Sequence, residues 1–187
     1  MRFKIKSIFA ILLSIRYLPH IISFFINGNI RDDVRFWCKC YGISCNLYIG
    51  LVYFLTYYPE FRNVMYKRLP FSMIHRLLAP TLPSLYITTS RDKIGKGLFI
   101  QHGFATIISA ESIGNYCWIN QQVTIGYTAN PIPPTIGNNV RIHAGALVLG
   151  PILVGDNSII AAGATVVDDV PCNSLVCSPK ARIVKTL

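Results

Sequence analysis

His102 is the first side chain from which chemistry can be argued. It stands in "IQHG", residues 100–103, in a region where almost every other polar residue is small. Imidazole, with an ordinary pKa of about 6.5, is largely neutral and basic near neutral pH and suits general-base work on a hydroxyl. A histidine among apolar neighbours is more often a satisfied structural group, so its phase within the surrounding pattern has to decide between the two. The other histidines offer less: His143 falls beside an aliphatic position and reads as surface, and His20 and His75 lie in an apolar, basic half with no legible chemical partner. Six cysteines, densest in "CKCYGISC" (Cys38, Cys40, Cys45), match no zinc spacing and have no histidine nearby. They read as reduced, mostly buried thiols of a cytoplasmic protein.

The pattern around His102 has a period of six. Aliphatic residues return at Ile94 and Ile100, then with one extra residue at Ile113, Ile119 and Ile125, and after an insertion at Ile136, Ile142, Val148, Val154, Ile160 and Val166. Four positions later comes a second small or apolar residue, among them Leu98, Phe104, Cys117, Val123, Val140, Ala146, Ile152, Ser158, Ala164 and Val170, and glycine often follows the aliphatic directly. Neither an amphipathic helix nor a hairpin strand has this period. Three short straight segments per coil do, with glycine and asparagine at corners that need positive φ. Stacked coils bury a continuous aliphatic column, so the unit is stable only as a stack. The expected fold is mainly β: a four-coil β-helix over residues 86–171, preceded by a helical segment, 1–85, and followed by a closing segment, 172–187. In that phasing His102, Gln121, Ala144 and Ala162 each stand two positions after an aliphatic, so one face carries an imidazole above a column that shrinks to methyl groups.

The elements before the repeat are differently built. Residues 1–80 hold eleven Lys/Arg against three acids, and residues 81–187 seven against five, so the net charge of +10 is concentrated in the first half. Cations such as Arg2, Lys4, Lys6, Arg31, Arg35, Arg62, Lys67 and Arg68 flank apolar runs, an arrangement that suits an anionic membrane surface better than nucleic acid. The plain alternative is the solvated face of ordinary helices. The opening run resembles a secretory signal but has no small-residue cleavage site and is interrupted by Arg16, Pro19 and His20; a second run covers 43–58. Both fall short of the roughly 18–20 apolar residues of a span. Both read as helices buried against partners or lying in a membrane interface.

The repeats, in "KIGKGLFIQHG", "WINQQVTIG" and "PTIGNNVRIHAGALVLGPILVGDNSIIAAGATVVDDVP", resemble the hexapeptide-repeat acyltransferases, and within them the serine acetyltransferase family, including relatives acting on surface polysaccharides. The resemblance covers about residues 88–184 and implies a left-handed parallel β-helix. "YYPEFRNVMYKRL" is similar to the helical segment that precedes the prism in the polysaccharide relatives. The resemblance further implies acetyl-CoA as acyl donor, with its pantetheine arm along a groove at Ala144, Gly145, Ala162 and Gly163, and His102 as the general base. Lys180 and Arg182, with Lys185, would meet the CoA phosphates or form a solvated basic tail. A homotrimer, or a dimer of trimers, follows, with the active site between neighbours and the insertion at 127–135, stiffened by Pro131, Pro133 and Pro134, as a lid.

Departures from the family pattern bear on the acceptor. Gln101 and Ile87 occupy the places of two aspartates, and Pro133 stands where the family has an Arg-His pair that holds a carboxylate. A sugar hydroxyl, hydrogen-bonded by Gln121, Tyr127 and Asn130, is therefore the expected acceptor, with serine or an amino-sugar nitrogen as alternatives. The basic first half would bring the enzyme to lipid-linked glycan at the inner membrane face. A zinc enzyme of the same fold would need three histidines on the prism, which carries His102 and His143 alone. A non-catalytic trimeric scaffold has no use for a face carved down to alanine.

Overall fold

The computed structural model describes residues 2–12, 14–182 and 184–185, and the side chains of Arg2, Lys4 and Ile5, two of the cations invoked above among them, lie outside the description. The first half is helical: α1 (Arg2–Leu12), a 3-10 turn (Ser14–Tyr17), α2 (Leu18–Ile26), α3 (Gly28–Cys40), α4 (Leu47–Tyr57), α5 (Pro59–Lys67) and α6 (Met73–Leu78). Local chemistry sets several starts. Asn27 Oδ1 accepts from the N–H groups of Asn29 and Ile30 to begin α3, Asn46 Oδ1 caps α4, and Pro59 opens α5 with its preset φ.

The second apolar run is settled by burial. Gly50 to Leu55 of α4 are all buried, as expected of a helix apolar all round. The first run differs: α1, the 3-10 turn and α2 bury Ala10, Tyr17, His20 and Phe24, yet Ile8, Leu12, Ile15, Leu18, Ile22 and Phe25 face outward. No single helix among the described residues is long and apolar enough to cross a membrane; Lys6–Leu12 with Ser14–Ile26 has the length and composition only as a pair bent by 66°.

The second half is a parallel β-solenoid. One face stacks β1 (Leu85–Ile87), β3 (Thr106–Ile108), β6 (Thr124–Gly126), β9 (Leu147–Leu149) and β12 (Thr165–Val166). A second stacks β4 (Ser112–Ile113), β7 (Thr135–Ile136) and β10 (Leu153–Val154), continued at both ends by the bridges Ile94–Ile113 and Val154–Val170. A third stacks β2 (Phe99–Gln101), β5 (Trp118–Asn120), β8 (Arg141–Ile142), β11 (Ile159–Ile160) and β13 (Leu175–Val176). Five layers make five turns, where the sequence pattern suggested four, and the last turn takes in residues assigned to the closing segment. The turn was missed because the phase breaks between the first and second coils. Eight positions, not six, separate Ile100 from its successor Ile108, and five separate Ile108 from Ile113.

All eleven phased aliphatics are buried, and so is Ile108. Of the second positions, Phe104 departs, 46% exposed, because the extra residues after Ile100 shift it out of register. Gly95, Gly114, Gly137 and Gly155 answer to stacking rather than to φ, a Cβ on Gly114 standing 2.5 Å from the Gly137 carbonyl carbon of the next turn, whereas a Cβ on Gly126 would meet nothing within 4 Å. Positive φ occurs instead at the following corner, in Tyr116, Asn139, Asn157 and Asn173, where Asn139 donates to Asn157 and Asn157 to Asn173 at 3.1 Å.

The helical segment is bolted to the first turn. Arg68 and Asp33 form a buried bidentate pair at 2.8 and 2.9 Å; Arg68 also donates to the carbonyls of Ile94 and Gly95, and Asp33 accepts from the N–H groups of Gly97 and Leu98. Trp37 donates to the Leu98 carbonyl at 2.8 Å and packs edge-on against Phe99. The repeat and its preceding helices therefore share one core.

Candidate active site

His102 sits at the corner between the third and first faces, where the two extra residues enter. Three residues of this corner have positive φ: His102 at 67°, Gly103 at 62° and Ala105 at 50°. An L-residue in the left-handed region costs about 1–2 kcal/mol and marks functional corners often enough to be noticed. Gly103 has no substitute here, since a Cβ would meet Ile100 Cγ2 at 2.9 Å and the Cβ of Glu60 at 3.2 Å. Ile100 points into the core, whereas His102 is exposed and lies outside it.

The column expected below His102 is present. Ile100, Ile119, Ile142, Ile160 and Val176 are in direct register, so Gln121, Ala144, Ala162 and Ser178 stack one per turn. His102, by contrast, follows the last paired residues, Gln101 and Asn120, at the insertion, and the ladder resumes with Gln122 N–H on the Phe104 carbonyl at 3.0 Å. Backbone bonds carry the ladder: Gly145 N–H to the Gln121 carbonyl at 3.1 Å, and Gly163 N–H to the Ala144 carbonyl at 2.9 Å. Four steps of about 4.8 Å give a column about 19 Å long. Its floor is small, with Ala144 and Gly145 partly exposed and Ala162 and Gly163 open. Gln121 Oε1, at the top of this column, is buried without a partner. At the far end Ser178 Oγ donates to the Gly163 carbonyl at 3.1 Å, and Lys180 and Arg182 follow it, both exposed. An extended acyl carrier with a polar tail and anionic end fits this donor and acceptor set.

Tyr127 and Asn130 are not brought to His102 within one chain. They follow β6 at the corner between the first and second faces, at the other end of the first face. There Ser109 Oγ donates to Tyr127 Oη at 3.3 Å and exchanges a bond with Thr88 Oγ1 at 2.7 Å, in a pocket of about 290 Å³ that Pro131 and Pro133 also line. Asn130 Oδ1 accepts from Ile132 N–H at 3.0 Å, so it holds its own loop.

His20 and His75 do have partners. His20 Nε2 lies 2.7 Å from Tyr66 Oη and His75 Nε2 lies 3.0 Å from Ser23 Oγ, inside the helical core and far from the furrow. His143 is half-buried. The six cysteines are free thiols, and burial pushes Cys38 and Cys117 up to about 12 and Cys40 up to about 11, which keeps them protonated and unreactive. Among the described residues no three His, Cys, Asp or Glu side chains are placed to share a metal ion.

Sequence reasoning missed Glu60. It lies in the first turn of α5, 6% exposed, against the His102–Gly103 corner. Burial raises its carboxyl above the ordinary range, and the charge and N–H of His102 are among the groups that oppose the rise. The available signal was scarcity, since only three acids occur before residue 80.

Five stacked turns with a helical segment packed on the first define a parallel β-solenoid of the hexapeptide-repeat kind. Residues 133–168 match the family model described as bacterial transferase hexapeptide (six repeats). A serine acetyltransferase from Synechococcus elongatus is 35% identical over 144 residues, covering 70% of this chain and 59% of that protein. One from Helicobacter pylori is 43% identical over 96 residues, covering 49% and 56%. The crystal structure of serine acetyltransferase from Brucella abortus superposes with a TM-score of 0.65 at 24% identity, over 87% of this chain and 72% of that one, a likeness of fold. The chain belongs to the serine acetyltransferase family of hexapeptide-repeat transferases. It spans a little over half the length of these two curated relatives.

Proposed function

We propose that the protein transfers an acetyl group from acetyl-CoA to an acceptor hydroxyl. The observation that supports this reading is the register that stacks Gln121, Ala144 and Ala162 directly below the strand that ends at Gln101, one residue before His102. The imidazole accepts the hydroxyl proton as that oxygen attacks the thioester carbonyl, and returns it to the departing CoA sulfur. The products are an acetyl ester and a free thiol. A positioned base of this kind contributes about 10²–10⁴-fold. The backbone at Ala144–Gly145 and Ala162–Gly163 lies along the pantetheine arm, Lys180 and Arg182 stand at its anionic end, and Gln121 Oε1 accepts a hydrogen bond from the acceptor.

The names of the relatives favour serine as acceptor. A sugar hydroxyl is the second reading, favoured by the loop 127–134, which contains no Lys, Arg or His to hold a carboxylate. Incubation with acetyl-CoA and a panel of serine, neutral sugars and amino sugars, followed by mass spectrometry and alkaline treatment, tests both. An ester on serine, identified by mass spectrometry in acid because alkali shifts its acetyl group to the α-amine, supports the first reading, an alkali-labile product on a sugar the second, and an amide formed directly at neutral pH would overturn ester formation.

The working unit is proposed as a trimer, in which the corner at His102 of one protomer meets the Tyr127–Asn130 loop of its neighbour. Peripheral attachment to an anionic membrane is proposed from the outward faces of α1, α2 and α6. Leu12, Ile15, Leu18, Phe25, Met73 and Leu77 are exposed there, with Lys6, Arg16 and Arg76 around them. No acid on this segment offsets those cations: Asp33 is paired with Arg68, Asp32 with Arg35, and Glu60 is buried.

A further inference from the structure

A groove of about 880 Å³ lies between the α5–α6 region and β1 and shares no residue with the furrow. Lys67, Arg76 and Arg91 line it, with Asn63, Tyr66 and Phe71. Its wall is fixed from within the chain: Asn63 Nδ2 donates to the carbonyls of Leu82 and Leu85 at 3.1 Å, Asn63 Oδ1 accepts from Leu82 N–H at 2.8 Å, and Tyr66 Oη donates to the Ala79 carbonyl at 2.7 Å. The three cations, by contrast, are largely unspent. Among the described residues Lys67 and Arg91 form no ion pair, and Arg76 reaches Ser72 Oγ at 3.0 Å through Nε and stands over the Tyr66 ring at 5.8 Å. No Asp or Glu lines the groove; Asp92, next to Arg91 in sequence, is exposed outside it. Burial and the Arg76 charge hold the Lys67 ammonium below its usual range, the mark of like charges without a counter-ion. Cations gathered in a concave site attract a multiply charged anion.

The rim of the same groove is apolar. Phe71 is 86% exposed, and Met73, Ile74 and Leu77, which follow it in α6 on either side of Arg76, are exposed as well. A free anion gains nothing from such a rim, whereas an anion carried on a lipid does, because apolar side chains enter the acyl boundary while cations hold the head group. We propose that this groove binds the head group of a membrane lipid that ends in a phosphomonoester or diphosphate, with Lys67, Arg76 and Arg91 on its oxygens and Phe71 and α6 at the hydrocarbon. The proposal deepens the membrane attachment proposed above and rests on it. Charge alone brings the protein to any anionic surface; a groove with three cations selects a head group that concentrates more than one negative charge.

The experiment cosediments the full chain with phosphatidylcholine vesicles carrying either phosphatidic acid, a phosphomonoester, or phosphatidylglycerol, a phosphodiester, at equal surface potential. Wild type, Arg91→Gln and the double variant Lys67→Met with Arg91→Gln are compared at matched oligomeric state and melting temperature. Wild type is expected to bind the phosphatidic acid vesicles at least about tenfold more tightly, and the double variant to lose that preference while its binding to phosphatidylglycerol stays within about fivefold. Arg91 is exposed on a 3-10 turn, so the single variant reads the site if the double variant does not fold. Glycerol 3-phosphate and inorganic phosphate, titrated by calorimetry without vesicles, should bind at least about tenfold more weakly than the lipid; either binding as tightly would make the occupant a soluble phosphate and overturn the lipid. Equal binding of wild type to the two vesicles overturns the head-group site and leaves charge-driven attachment standing. Binding to neither removes both.

Discussion

At the scale of single residues, the account depends on a corner that is strained and crowded on purpose. Gly103 is held at φ 62° with Ile100 Cγ2 and Glu60 Cβ in its way, so Gly103→Ala should lower stability by about 1–3 kcal/mol and displace His102. Urea midpoints and turnover measured on the same preparation check it; a variant as stable and as active as wild type would show that the corner has slack. His102 was legible in the sequence because its phase against Ile100 could be compared with three later turns. Glu60 was not, because it belongs to a helix with a different period, and nothing in a six-residue repeat points to a residue outside it. Its contact with the corner exists only after α5 has docked.

At the scale of elements, the prism was readable since every phased aliphatic needs the same environment, and the five-turn count was not, since it depends on where the register slips. The slip falls at the functional corner, where Ile100 and Ile108 stand eight apart. Local rules fail where the chain departs from its own period to place an imidazole. The helices taught the reverse lesson. Their apolar content was plain, but which run was buried required the docking of α4 between its neighbours. Two predictions belong here. Removing one member of the Asp33–Arg68 pair leaves a buried charge, so Asp33→Ala should destabilise the fold by about 3–5 kcal/mol, read from chemical denaturation. The outward faces of α1, α2 and α6 should carry the protein to vesicles containing anionic phospholipid, with weaker binding at high salt and little to neutral vesicles. Cosedimentation measures this. Leu18→Ser with Leu77→Ser should weaken it, and a protein found free of anionic vesicles at low salt would remove the membrane proposal. Self-association through the same faces, seen by analytical ultracentrifugation, would replace it.

At the scale of the whole molecule, pH and assembly become the readouts. Burial and the nearby His75 push His20 down to about 3, and burial also lowers His75. An unfolded histidine titrates near 6.5, so between about 6.5 and about 3 the unfolded chain binds more protons than the folded one. Stability is therefore full above about pH 6.5 and declines as pH falls, by up to about 1.4 kcal/mol per pH unit for one such ring. Urea midpoints taken from pH 7.5 to pH 5 should show the decline, and His20→Gln should flatten it; an identical slope in the variant would place the proton uptake elsewhere. The helical half, which holds these histidines, shares its core with the first turn, so losing it also disarms the furrow. The most direct test of the central claim is thiol release from acetyl-CoA in the presence of the acceptor panel, comparing wild type with His102→Ala at matched oligomeric state and melting temperature. The account predicts acceptor-dependent release by wild type and a loss of at least about 100-fold in the variant. Equal rates from two folded proteins would contradict it.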